Sequence, residues 1–204
     1  VLARSGYFPI DELNTFRLLN TRLQGHPTTH EGLPGVRVAT GSLGQGLSVA
    51  VGFALQKKLD GDKNRVFALT GDGELQEGQI WEALMFAAHH KVDNLIVAVD
   101  FNQQQIDGST GDVLGITEVK SRFASFGWIT LEMDGNDWDD IHHLMPNAIN
   151  QLGCEKPVVI IMKTEMGQGV DFMMGTHAWH GKAPNDEQLE NALNQLPETQ
   201  YGDY

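Results

Sequence analysis

Two oxygen-bearing residues sit where two short hydrophobic runs stop. Asp72 lies in Gly71-Asp72-Gly73, after the run ending at Leu69, and Asn102 closes Asp100-Phe101-Asn102, after the run ending at Val99. Asp72 offers a carboxylate oxygen and Asn102 an amide oxygen. A few hard oxygens of this kind suit Mg²⁺, which keeps positions open for water and phosphate. Gly71 and Gly73 let the backbone turn sharply and let a ligand come close. Amides at the start of the following helix can also meet an anion. The familiar phosphate loops do not fit. Gly73 and Gly78 have P-loop spacing, but Gln79-Ile80 follow where Lys and a hydroxyl residue are needed. A dinucleotide fingerprint needs glycine at position 76, which is Gln76. A diphosphate bridged by Mg²⁺ is the better reading; the plainer one is a turn with a helix-capping aspartate.

The elements that must position these residues follow from hydrophobic periodicity. Strand Val66 to Leu69, helix Gln76 to His90 and strand Leu95 to Val99 form a strand–helix–strand unit, the helix carrying Trp81, Leu84, Met85 and Ala88 at helical spacing. The strands are short and nearly all apolar, as parallel strands buried on both faces are. Short connections make this a right-handed crossover. Ligands in such sheets bind beyond the carboxyl ends of the strands, where Asp72 and Asn102 both fall. Upstream, the pattern predicts a helix over Asp11 to Leu23, a Gly- and Pro-rich loop over Gln24 to Leu43, and a helix over Gly44 to Leu59. The last carries Ala50, Gly52 and Ala54, small residues that suggest close packing on another backbone. Downstream it predicts a helix near Val119 to Phe126 and a strand at Trp128 to Met133. A helix at Trp138 to Leu152 and a strand at Val158 to Lys163 follow, then a loop to Pro184. A final helix spans Asp186 to Leu196, with Asn185 as cap and Gln188 as its capping-box partner. The alternation means α/β with a mostly parallel sheet.

Bulk properties narrow the function. The 204 residues suffice for one sizeable domain, and a net charge of -13 argues against nucleic acid and anionic membranes. The longest strongly apolar run, Val158 to Met162, is too short to span a bilayer. The single cysteine, Cys154, forms no internal disulfide and fits a reducing, cytoplasmic setting. Zinc at His177-x-x-His180 or His89-His90 lacks the three or four ligands such sites need. His89 and His90 read as a helix end, and His142 and His143 as a solvated face. Trp81 reads as core. Lys182 reads equally as a phosphate contact or an exposed side chain.

Four stretches carry a resemblance. Gly-Asp-Gly followed across a strand–helix–strand unit by Asn resembles the thiamine-diphosphate-binding motif. "GHP" at Gly25 to Pro27, "TGSLGQGLS" at Thr40 to Ser48, "GDGELQEGQIWEA" at Gly71 to Ala83 and "WHGKAP" at Trp179 to Pro184 look like transketolase. They look most like the amino-terminal subunit of a transketolase split over two chains, along essentially the whole sequence.

The resemblance implies a three-layer α/β fold of the thiamine-diphosphate type, with one diphosphate- and Mg²⁺-binding domain over residues 1–204. It implies transfer of a two-carbon ketol unit from a ketose phosphate to an aldose phosphate. Asp72 and Asn102 would ligate Mg²⁺ together with the main-chain carbonyl of Gln104. Gly73 would contact the diphosphate, with Gly71 and Glu74 beside it in the cofactor-binding segment. Gly41, Ser42 and Leu43 would lie near the aminopyrimidine ring. His26 would face the sugar, His180 would stand between diphosphate and substrate, and Glu77 would belong to a subunit interface. The family's first segment, with further active-site histidines, is not seen before Val1. Nor is the pyrimidine-binding half, whose glutamate activates the cofactor. The expectation is therefore an active site completed by a C-terminal transketolase subunit, in a homo-oligomer or heterotetramer. The rival readings are another thiamine enzyme, of the deoxyxylulose-phosphate synthase or 2-oxoacid dehydrogenase type, or a non-catalytic remnant of the fold.

Overall fold

The computed structural model describes residues 1–197; residues 198–204, the tail of the expected domain, lie outside the described residues. The chain divides into two compact units, Val1–Leu43 and Gly44–Pro197. Val1–Leu43 is built mostly of turns around a small core of Ala3, Phe8 and Leu33. The helix predicted over Asp11 to Leu23 is absent. A 3₁₀ helix covers Ile10–Thr15, and the chain then bends through left-handed Arg17 (φ 60) and Asn20 (φ 61). Arg17 N–H bonds the Leu23 carbonyl and closes the bend. The helical spacing of Leu13, Phe16 and Leu19 gains nothing, because all three are exposed. A lone helical turn without a face to bury does not extend.

Gly44–Pro197 holds the sheet. Its elements are α1 (Gln45–Leu59), β1 (Val66–Gly71), α2 (Gly78–His89) and β2 (Leu95–Phe101), then a small antiparallel hairpin, β3 (Gln104–Gln105) and β4 (Gly108–Ser109). There follow α3 (Thr110–Leu114), α4 (Val119–Ser125), β5 (Ile129–Asp134), α5 (Trp138–Asn150), β6 (Val158–Lys163) and α6 (Asp186–Gln195). The main sheet is parallel in the order β1-β2-β6-β5. Leu95, Val97 and Val99 alternate onto one face, where Leu47 and Ala54 of α1, Leu84 of α2 and Phe123 of α4 cover them. Ile96 joins Val158 and Ile160 on the other face, with Ala148 of α5. That makes three layers.

β1 departs from burial on both faces. It is an edge strand, and Phe67 and Leu69 remain exposed. α1 also departs from its reading: Ala50 and Ala54 are buried, but Gly52 is exposed with open space where a Cβ would stand. The helix predicted over Gln76 to His90 is present, with a later start. A 3₁₀ turn spans Gly73–Gln76, Glu77 is extended (ψ 127), and α2 starts at Gly78. Asn185 and Gln188 form the predicted capping box of α6. Among the described residues no helix is long and apolar enough to cross a membrane.

Candidate functional site

The register places the carboxyl ends of β1, β2 and β6 side by side, with Gly71 opposite Asp100 and Phe101 opposite Lys163. Asp72 and Asn102 therefore do emerge from neighbouring strands. Asp72 carries the ladder one step further, its N–H donating to the Asp100 carbonyl at 3.1 Å. Its side chain, 5% exposed, accepts N–H bonds from Gly73 at 2.7 Å and from Gln103. Gln103 reaches it because that residue is left-handed (φ 60), which folds the chain back after β2. Asn102 Oδ1 accepts the N–H of Gln104 at 2.8 Å, and the β3–β4 hairpin follows.

This corner is electrostatically unbalanced. Burial pushes the Asp72 carboxyl above its usual range, and the Asp100 charge pushes the same way against the N–H groups of Gln103 and Gly73. The Thr164 hydroxyl, just past β6, donates to Asp100 Oδ1. Among the described residues no cluster of three or more His, Cys, Asp or Glu could hold a metal ion. A cation here would rely on Asp72 with amide and carbonyl oxygens. Such a donor set fits Mg²⁺, and a cation would relieve the buried charge. An anion is matched too. Gln105 Nε2 is buried without a hydrogen-bond partner. Its side chain lies against Gly73, where an added Cβ would stand 3.1 Å from Gln105 Oε1. A buried donor left unpaired is costly, and a phosphate oxygen is the kind of partner it lacks.

Around this corner the chain is tied down. Glu74 Oε1 accepts the N–H of Gly44 at 2.8 Å and Oε2 that of Gly71 at 3.3 Å. Both oxygens of Glu74 thus have backbone partners. Glu77 is exposed at the start of α2 and makes no side-chain capping bond. His180 follows a 3₁₀ turn, His177–Trp179, that packs on β4, and its ring is exposed. Lys182 is exposed, its ammonium lying 5.0 Å from the Trp179 ring centre. Trp81 is half-buried on the core, its indole N–H donating to the Leu75 carbonyl at 2.9 Å.

In the Val1–Leu43 unit, His26 and Gly41 meet. A Cβ on Gly41 (φ 119) would stand 2.5 Å from His26 Nδ1, so only glycine fits behind that ring. Ser42 and Leu43 are exposed. Asp100, Gln103, Gln105 and Thr164 were not singled out from sequence. Asp100 had a signal, its place in the polar cluster after the second hydrophobic run. Gln103 had none, since its left-handed backbone is rare outside glycine and asparagine.

Comparison with known proteins matches this architecture. Residues 2–200 match the family model described as "Transketolase, thiamine diphosphate binding domain". An apulose-4-phosphate transketolase subunit from Actinobacillus succinogenes is 41% identical over 199 residues, covering 96% of this chain and 69% of that protein. A 6-deoxy-6-sulfo-D-fructose transketolase subunit from Clostridium sp. is 38% identical, with 96% and 70% covered. The crystal structure of transketolase from Campylobacter jejuni superposes with a TM-score of 0.81 at 35% identity, over 91% of this chain and 29% of that one. Sequence and fold agree, and the chain belongs to the transketolase family, corresponding to its thiamine diphosphate binding domain.

Proposed function

We propose that this chain is the amino-terminal subunit of a cytoplasmic transketolase that moves a two-carbon ketol unit from a ketose phosphate to an aldose phosphate. The observation that carries the reading is the buried Asp72 carboxylate, which leaves the carboxyl end of β1 next to the β2 end that delivers Asn102. Asp72, Asn102 and the Gln104 carbonyl would hold Mg²⁺, which offsets repulsion between Asp72 and a diphosphate. Gly71, with nothing within 4 Å of its missing Cβ, leaves room for that diphosphate, and Gly73 would contact it. Gly41 to Leu43 serve the aminopyrimidine ring, and Glu77 a subunit interface. Bound thiamine diphosphate supplies the nucleophilic carbon and the electron sink of the reaction. His26, on the sugar side, and His180 orient the substrate and move its protons.

The relatives' names favour a sugar with an anionic terminus, since one acts on apulose-4-phosphate and another on 6-deoxy-6-sulfo-D-fructose. Their designation as subunits supports a second chain that brings the pyrimidine-binding half. The test is thermal unfolding with Mg²⁺ and thiamine diphosphate, separately and together. A ligand specific to the folded state adds about 2.7 kcal/mol at a hundredfold excess over its dissociation constant. A shift that needs both components, and that Asp72→Ala removes with the fold intact, supports the reading. No shift even with the second subunit present overturns it.

A further inference from the structure

We propose that Glu74 is a positioning residue for the cofactor site, acting as a two-pronged staple rather than as a ligand contact; this rests on the function proposed above. One carboxylate oxygen accepts the N–H of Gly44, at the head of α1, and the other that of Gly71, at the end of β1. The residue thus joins the first turn of a helix to the strand end that delivers Asp72. A carboxylate whose oxygens both serve backbone amides is poorly placed to meet a diphosphate, which it would repel.

The turn that carries Glu74 is itself fixed. Leu75 is buried at 1% exposure. Its N–H bonds the Asp72 carbonyl at 3.1 Å, and its own carbonyl accepts the Trp81 indole N–H. The break at Glu77 lets this 3₁₀ turn point its first residues at α1 instead of continuing α2. Gly44 is shaped to receive it. It is left-handed (φ 79), and a Cβ there would stand 3.0 Å from Glu77 Cβ. Further along α1, Gln79 bonds Gln45 at 2.7 Å and Ser48 at 2.9 Å. The stretch after Asp72 therefore bolts down the start of α1, and Glu74 is the prong nearest the proposed Mg²⁺ ligands.

The alternatives predict different orders of affinity. A staple needs acceptor oxygens, so Glu74→Gln keeps one acceptor for the shorter Gly44 bond, and Glu74→Ala keeps none. Binding of thiamine diphosphate with Mg²⁺ to the full chain, by calorimetry, should weaken about tenfold in Glu74→Ala and by less in Glu74→Gln. In the ligand-free chain the Gly44 and Gly71 amides should exchange hydrogen faster in Glu74→Ala, the Gly44 amide should recover in Glu74→Gln, and the Val97 amide should stay unchanged in both. Parental affinity in Glu74→Ala overturns the proposal. Tighter binding in Glu74→Gln than in the parent also overturns it, because the carboxylate would then face the diphosphate. Equal loss in both variants does so as well, by making Glu74 a metal ligand. Unchanged Gly44 exchange in Glu74→Ala removes the staple whatever the ligand does. A parent chain that binds no cofactor, alone or with its second subunit, instead overturns the function proposed above.

Discussion

The same chemical change at two glycines, one heading α1 and one within it, should have opposite signs. Gly44 has a left-handed backbone (φ 79), and its missing Cβ would lie 3.0 Å from Glu77 Cβ and 3.4 Å from Glu77 Cγ. Alanine there carries about 1–2 kcal/mol of backbone penalty. Crowding against Glu77 adds about 1 kcal/mol more. Gly52 lies inside α1, has no positive φ and has nothing within 4 Å of its missing Cβ. Alanine there removes a flexible residue from a helix and gains about 0.5–1 kcal/mol. For a chain of this size each kcal/mol moves the midpoint by about 2–4 °C. Gly44→Ala should therefore lower Tm by about 4–12 °C, and Gly52→Ala should raise it by about 1–4 °C. Circular dichroism melts of the ligand-free chain read both. A Gly44→Ala chain as stable as the parent would refute the claim that α1 starts from a held, left-handed glycine. A Gly52→Ala chain that loses stability would refute the open space along α1.

Other outcomes follow from single contacts. Burial works against Asp93, yet the Lys58 ammonium at 2.6 Å and the Glu155 N–H hold its carboxyl below the usual value. A depressed carboxyl stabilises the fold above its unfolded pKa and loses that contribution as pH falls through its folded pKa. Asp93→Asn should thus lower stability by about 1 kcal/mol at neutral pH, and denaturant melts should show the gap closing below about pH 4. Asp72 has the opposite sign. Its raised carboxyl penalises the ionised fold, so the ligand-free parent should gain stability relative to Asp72→Ala as pH falls toward about 4. Gly73→Ala should push on Gln105, leave stability within about 1 kcal/mol of the parent, and weaken Mg²⁺-dependent thiamine diphosphate binding in calorimetry. His26→Ala should spare cofactor binding and reduce sugar turnover in the reconstituted enzyme; loss of cofactor binding instead would put His26 on the wrong side of the site.

The strand–helix–strand unit was legible because its strands are apolar almost throughout, and β6 spans the run Val158 to Lys163 as read. Asp72 and Asn102 stood out because polar residues at the ends of such runs break the pattern. What was missed depends on tertiary partners. The helix expected over Asp11 to Leu23 had the right spacing but no surface to cover. Periodicity ran straight through Glu77, because the extended backbone there faces a distant glycine, Gly44, whose missing Cβ leaves space for the Glu77 side chain. The β3–β4 hairpin has only two residues in each strand, too few to show alternation. Gln105 became notable only when its amide proved buried and unpaired.

The seam between β1 and β2 has a kinetic meaning as well. Asp72 bonds across it twice, through its N–H to Asp100 and through its carboxylate to Gln103. Neither bond exists until the α2 crossover has returned the chain and the parallel pair has zipped to its carboxyl end. Loop-closure cost before such non-local pairing predicts that the corner forms after the folding transition state. On that prediction, a ligand seated there would add stability absent from the transition state. It should leave the refolding rate alone and act almost wholly as a brake on unfolding.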